Sequence, residues 1–299
     1  MTLIALKVDV DTYRGTREGA LRLAQLLERL AVRATFLFSL GPDHTGRAIR
    51  RVFRRGFLGK VQRTSVLEHY GLKTLLYGVL LPGPHIGRGC RAPMQEIARR
   101  GFEVGVHTWD HVRWQDGVAG AGEAWTRREL TLARDEFMEV FGRAPLVHGA
   151  AGWQMNPYVP ALQQELGFRY ASDTRGRGPF LPLLASGSAN VPQLPTTLPT
   201  FDELIGRADL AGVDPVDHLL ALTEAPGARE HVFTLHAELE GGKYLPSFER
   251  LLRAWRQRGA QLTDLASYAA TLDVHNLPRD AIVAGTVPGR SGTLAVQAG

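Results

Sequence analysis

The opening forty residues leave this chain few architectures. Residues 2–10 form an aliphatic run ending in Asp9-Val10-Asp11, the pattern of a buried strand that delivers carboxylates at its C-terminal tip. Residues 16–30 follow with Ala20, Leu23, Leu26, Leu27 and Leu30 at helical spacing, and residues 34–40 form the next apolar strand. The opening unit is therefore βαβ, a start that leads into α/β folds whose chemistry sits at the C-terminal ends of the strands.

The rhythm continues along the chain. Aliphatic runs at 103–106, 144–148 and 232–235 alternate with helical stretches at 93–100, 124–141, 157–166, 245–258 and 265–271, and one barrel-like α/β domain over residues 1–276 accounts for them. From residue 277 to 299, Pro278, Gly285, Pro288, Gly289, Gly292 and Gly299 predict an extended coil packed on the surface. Hydrophobic residues at 44% and charged ones at 22% are near globular averages, which excludes a disordered, collagen-like or coiled-coil chain. Cys90 is the only cysteine, so neither an internal disulfide nor a Cys-ligated zinc site is available. Residues 72–82, the longest strongly apolar stretch, are interrupted by Lys73 and Gly78 and fall short of the roughly 20 residues a spanning helix needs. Lys7 and Asp9 also break any secretory pattern at the start, so the expectation is a cytosolic chain with at most peripheral membrane contact.

Residues 44–92 do not follow the βα rhythm, and so long an insertion in a compact domain is usually functional. Arg47, Arg50, Arg51, Arg54 and Arg55 fall on one helical face there, opposite Ile49, Val52 and Phe53, and no acidic residue occurs from 44 to 67. The formal charge of +5 suits nucleic acid, an anionic membrane or a phosphorylated substrate. No aromatic interleaving or base-reading motif accompanies the arginines, so nucleic acid is not an expected partner.

Chemistry concentrates at three strand ends. Asp9 and Asp11 close the first. His107-Thr108-Trp109-Asp110-His111 follows residues 103–106, and His-x-x-x-His on a helical turn puts two imidazoles on one face, the spacing a single metal requires. A carboxylate from another strand tip supplies a third ligand and leaves positions open for water, as in a catalytic rather than a structural site. Residues 232–235 then lead into His236-Ala237-Glu238, bringing a histidine to the same rim as a potential acid. Nitrogen and oxygen donors of this kind accept zinc, manganese, cobalt or nickel, and either Asp9 or Asp11 suits the ligand position.

The Asp-x-Asp of residues 8–11, the His-Thr-x-x-His of residues 107–111 and Leu235-His236 resemble the motifs of the polysaccharide deacetylase family, also called NodB-homology or carbohydrate esterase family four. Further segments, at 12–19, 39–43, 150–153, 172–176, 198–203 and 236–241, resemble a subfamily that removes the N-formyl group from an undecaprenyl-phosphate-linked formamido-arabinose. The resemblance implies a single distorted (β/α)7-type barrel with an amphipathic insertion. It implies a divalent metal held by Asp11, His107 and His111, with Asp9 as general base and His236 as general acid. It also implies a place at the cytoplasmic face of the inner membrane and a product used in lipid A modification and polymyxin resistance.

A third family motif, normally rich in Arg and Pro beside the base, is replaced here by residues 147–153, leaving the partner of Asp9 unassigned. Asp173 and Arg175 are candidates for the supporting shell, or else an ordinary ion pair in a turn. Trp153 is a core residue or a sugar platform, and Glu238 with Glu240 either orients His236 or faces solvent. With a lipid-phosphate substrate, Arg50, Arg51, Arg54 and Arg55 are expected at an anionic membrane surface, with residues 72–81 as an apolar companion. The competing readings are a deacetylase of soluble N-acetylated saccharides and a lipid-phosphate binding protein with a vestigial metal site.

Overall fold

The computed structural model describes residues 2–48, 74–184, 187–227 and 230–299. The expected helix with Arg50, Arg51, Arg54 and Arg55 lies outside the described residues. Twelve strands are present among the described residues: β1 (Leu3–Val10), β2 (Thr35–Ser39), β3 (Glu103–Thr108), β4 (Val147–His148), β5 (Tyr170–Ala171), β6 (Leu181–Leu184), β7 (Gly187–Ser188), β8 (Glu230–His236), β9 (Gln261–Thr263), β10 (Arg279–Asp280), β11 (Ile282–Gly285) and β12 (Leu294–Gln297). The main sheet is parallel, in the order β5-β4-β3-β2-β1-β8, with β9 also on β1. Strand β1 is shared along one edge: β9 pairs with Leu3 to Ala5 and β2 with Lys7 to Val10.

This curled parallel sheet is the expected barrel with one irregular stave. Where β5 and β8 do not pair, residues 193–198 bridge them: Leu194 N–H donates to the Ala171 carbonyl (2.7 Å) and Thr197 N–H to that of Val232 (3.1 Å). The Thr196 and Thr234 hydroxyls meet at 2.7 Å in the same gap.

Alternation along β1 separates two environments, because successive strand side chains point to opposite faces. Ile4, Leu6, Val8 and Val10 pack outward with Leu23, Ala24 and Leu27 of the helix Ala20–Arg29. On the inner face Ala5 joins Leu37, Val147, Leu194 and Val232 in an apolar plug. Lys7 and Asp9 follow it on that same face, so the barrel interior is apolar low down and charged at the top. Burying a side chain such as Leu27 contributes about 1.5–3 kcal/mol, which is why the helical stripe was legible in advance.

The tail corrects an expectation. Instead of extended coil, β10 pairs with β6, and β11 and β12 form an antiparallel hairpin. Its aliphatic runs are only four residues each, and the turn between them uses Gly289 and Gly292 at φ 86° and 79°, so turn residues masked the strand signal.

Candidate active site

Register places the central pair. Asp9 and His236 are direct neighbours across β1 and β8, so a carboxylate and an imidazole reach the rim side by side. Asp11 follows just beyond the end of β1. His107 arrives by a different device: β2 pairs Phe38 with Val106 and Ser39 with Thr108, leaving His107 as the extra residue of a bulge. Bulges re-aim side chains next to active sites. His107 Nδ1 then donates to the Gly149 carbonyl at 2.6 Å, which leaves Nε2 as the lone-pair nitrogen, 3.2 Å from Asp11 Oδ1. A Cβ at Gly149 would stand 2.4 Å from Leu37 Cδ1, so any larger residue there has to displace that buried leucine.

The two histidines do not share a helical turn as expected. Asp110 is extended (φ −126°, ψ 108°) and its carboxylate caps the helix His111–Gly117 by accepting from Arg113 N–H at 3.1 Å. His107 therefore ends a strand while His111 begins a helix. Their rings still lie 5.3 Å apart, and His111 Nε2 is 3.5 Å from Asp11 Oδ2.

One donor atom from each of Asp11, His107 and His111 lies within 4.8 Å of the others, the spread a single divalent ion spans. Asp11 Oδ1 is buried and accepts no hydrogen bond among the described residues, so the donor set fits a metal. Burial would raise the Asp11 carboxyl, but His111, His107 and His236 outweigh it and hold it well below the usual carboxylate range. Asp9 Oδ1 is likewise buried without a hydrogen bond.

Three residues the motifs did not single out complete the surroundings. Lys7, fully buried, places Nζ 3.5 Å from Asp9 Oδ2 and donates to the Ser172 carbonyl at 2.8 Å. A lysine inside an otherwise apolar strand was the available signal, because buried lysines are paired. Asp202 sits 3.6 Å from His236 Nδ1 and accepts from the Thr200 hydroxyl at 2.5 Å. Arg290, in the turn of the tail hairpin, reaches Asp202 at 2.8 Å and Glu203 at 2.9 Å. Nothing local in the sequence marks Arg290. Burial opposes charge on His236, yet Asp202, Asp11 and Glu240 outweigh it and raise the ring to about 9.

The supporting candidates separate by partner. Asp173 and Arg175 pair elsewhere instead of with each other. Asp173 accepts from His148 Nδ1 (2.7 Å), Ala150 N–H (2.7 Å), Gln163 (2.7 Å) and Gln193 (2.8 Å), fixing the segment that carries Gly149. Arg175 donates to Glu203 at 2.6 Å and to the Leu198 carbonyl at 3.0 Å. Trp153 is buried, so it forms a wall and offers no open platform. Gly152 and Trp153 both adopt left-handed backbone, φ 61° and 52°, a strain of order 1–3 kcal/mol at the tryptophan. That turn brings the indole within 6.3 Å of the His236 ring and under Lys7, Arg175 and Arg290, at 5.5, 5.1 and 4.7 Å. Glu238 does not reach His236. It accepts from the Asp11 and Thr12 N–H groups (3.1 and 2.9 Å), and burial with the Asp11 charge pushes it up to about 8. Glu240 accepts from His236 N–H at 2.8 Å.

A carboxylate and an imidazole side by side beside a three-donor cluster, at the C-terminal rim of a parallel barrel, are the parts of a hydrolase. Residues 3–171 match the family model described as polysaccharide deacetylase. A probable 4-deoxy-4-formamido-L-arabinose-phosphoundecaprenol deformylase ArnD from Shewanella sediminis is 33% identical over 298 residues, covering 100% of this chain and 95% of the relative. Its namesake from Wigglesworthia glossinidia brevipalpis is 32% identical over 285 residues, covering 95% and 98%. In three dimensions a protein from Mycobacterium smegmatis described as a polysaccharide deacetylase superposes with a TM-score of 0.63 at 18% identity, covering 96% of each chain. The chain belongs to the polysaccharide deacetylase family. It is an amide hydrolase, acting on a C–N bond.

Proposed function

We propose that this protein removes the N-formyl group from 4-deoxy-4-formamido-L-arabinose-phosphoundecaprenol, giving formate and a free sugar amine, with a divalent metal held by Asp11, His107 and His111. The observation that carries the reading is the donor set standing beside Asp9 and His236 at one rim, in a chain that matches two deformylases over nearly its whole length. A metal bound there supplies an acidified water and a polarised formyl oxygen. Asp9, steadied by Lys7, takes the proton as the water adds to the formyl carbon. His236, held protonated by Asp202, gives a proton to the departing nitrogen, without which the amine is too poor a leaving group. The product's free amine carries positive charge, the chemistry by which lipid A loses anionic character and polymyxin loses its target.

The test is formate release from the lipid-linked sugar by metal-stripped protein and by protein reloaded with zinc, manganese or cobalt. Release only after reloading is expected. Acetyl release in preference to formyl from matched substrates supports a general saccharide deacetylase instead, and lipid binding without release under any metal supports a binding protein.

A bilayer-confined substrate also implies peripheral contact with an anionic surface. No helix among the described residues is long and apolar enough to cross a membrane. Val79, Leu80 and Leu81, at the described end of the insertion, are exposed, which suits an apolar contact with a membrane surface. Each arginine near such a leaflet contributes about 1 kcal/mol. Charge reversal of Arg50, Arg51, Arg54 and Arg55 to Glu is expected to release the protein from phosphatidylserine vesicles; unchanged cosedimentation overturns the contact.

A further inference from the structure

A cavity of about 610 Å³ opens on the flank of the barrel, between the helix Val159–Glu165 and the tail hairpin. Its volume lies in the range of about 300–1,000 Å³ typical of ligand pockets, well beyond the small voids left by packing. Met155, Tyr158, Ala161, Leu183, Ile282 and Leu294 are among its lining side chains. At its edge Tyr158, Leu183 and Val283 are 41%, 48% and 44% exposed, so an apolar surface continues out to solvent. The lining carboxylates Glu123 and Glu165 are both tied to Arg127, at 2.8 and 2.6 Å, and need no charged occupant.

We infer that this cavity seats the first isoprene units of the polyprenyl chain of the substrate, beside the catalytic rim; the inference rests on the lipid-linked substrate proposed above. The argument is continuity. Two chain segments run from the site to the cavity. Trp153, next to His236, is followed directly by Gln154 and Met155, which line the cavity at most about 7 Å further along the backbone. Arg290, over the Trp153 ring, is followed by Thr293 and Leu294, which line it from the other side. Gln154 Nε2 clamps the two segments together by donating to the Thr293 carbonyl at 2.7 Å. A substrate whose amide lies between Asp9 and His236 thus has a largely apolar cavity a short chain length away, reached along these two segments. An unbranched thioether such as Met155 suits an irregular hydrocarbon.

The experiment compares KM and kcat for formate release from undecaprenyl-phosphate-linked formamido-arabinose in detergent micelles with those for the same sugar phosphate lacking the chain. The variants are Ala161→Phe, which fills the cavity, and Leu183→Arg, which puts a charge at its exposed edge with little risk to folding. Each is expected to raise KM for the lipid-linked substrate at least tenfold while leaving both constants for the chain-free substrate unchanged. Unchanged KM for the lipid-linked substrate overturns the inference, as does an equal change on both substrates. A shift in oligomeric state on Leu183→Arg with lipid KM intact would assign the cavity to a second copy of the chain and also overturn it. Failure of the unsubstituted protein to release formate from either substrate refutes the proposed function, an outcome distinct from these.

Discussion

Replacing His107 with alanine is expected to remove the divalent metal and amide hydrolysis together. His107 is 1% exposed and its Nδ1 is committed to the Gly149 carbonyl, so Nε2 is the atom it offers to a cation. Two donors, Asp11 and His111, remain from the three, too few for a site that must also leave positions open to water. Without the cation the attacking water keeps a pKa of about 15.7 instead of about 7, and Asp9 then has almost no driving force for proton removal. The check is metal content after dialysis, read beside formate release, with a thermal melt to show that the variant is folded. Full turnover in His107→Ala sinks the assignment of the site.

His236→Ala separates the acid from the rest of the machinery. Loss of a positioned general acid costs about 10²–10⁴-fold, and the cost falls where the leaving group needs a proton. Formamide hydrolysis is expected to drop by that factor. Hydrolysis of 4-nitrophenyl acetate, whose phenolate leaves unprotonated, is expected to change little. Equal losses on both substrates would place His236 in structure or binding instead. A pH profile adds a sign. Because Asp202, Asp11 and Glu240 overcome burial and raise the ring to about 9, the protonated acid is present at neutral pH and amide turnover declines as pH rises through that limb. Asp202→Asn removes the first of those charges and moves the limb to lower pH. The raised value also acts on stability: the charged ring contributes fully below its ordinary value of about 6.5 and the contribution is lost as pH rises through about 9.

Much of this was written in short stretches of chain. The aliphatic run of residues 2–10 and the leucine spacing of residues 16–30 each depend on neighbours one to four positions away, so pattern alone located them. Asp9, Asp11, His107, His111 and His236 were legible for a related reason: each stands at or just past a strand end, where a parallel sheet collects its polar side chains. The partners were not legible. Lys7 meets Ser172, His107 meets Gly149, Glu238 turns to Asp11 and Arg290 reaches Asp202, and each pairing joins residues far apart in the chain. Asp173 and Arg175, two positions apart in the chain, pair with His148 and Glu203 for the same reason. Periodicity and turn chemistry are local properties and are fixed before the barrel closes. Which buried charge finds which counter-charge depends on closure, because only then does desolvation force each polar group to take the nearest available partner.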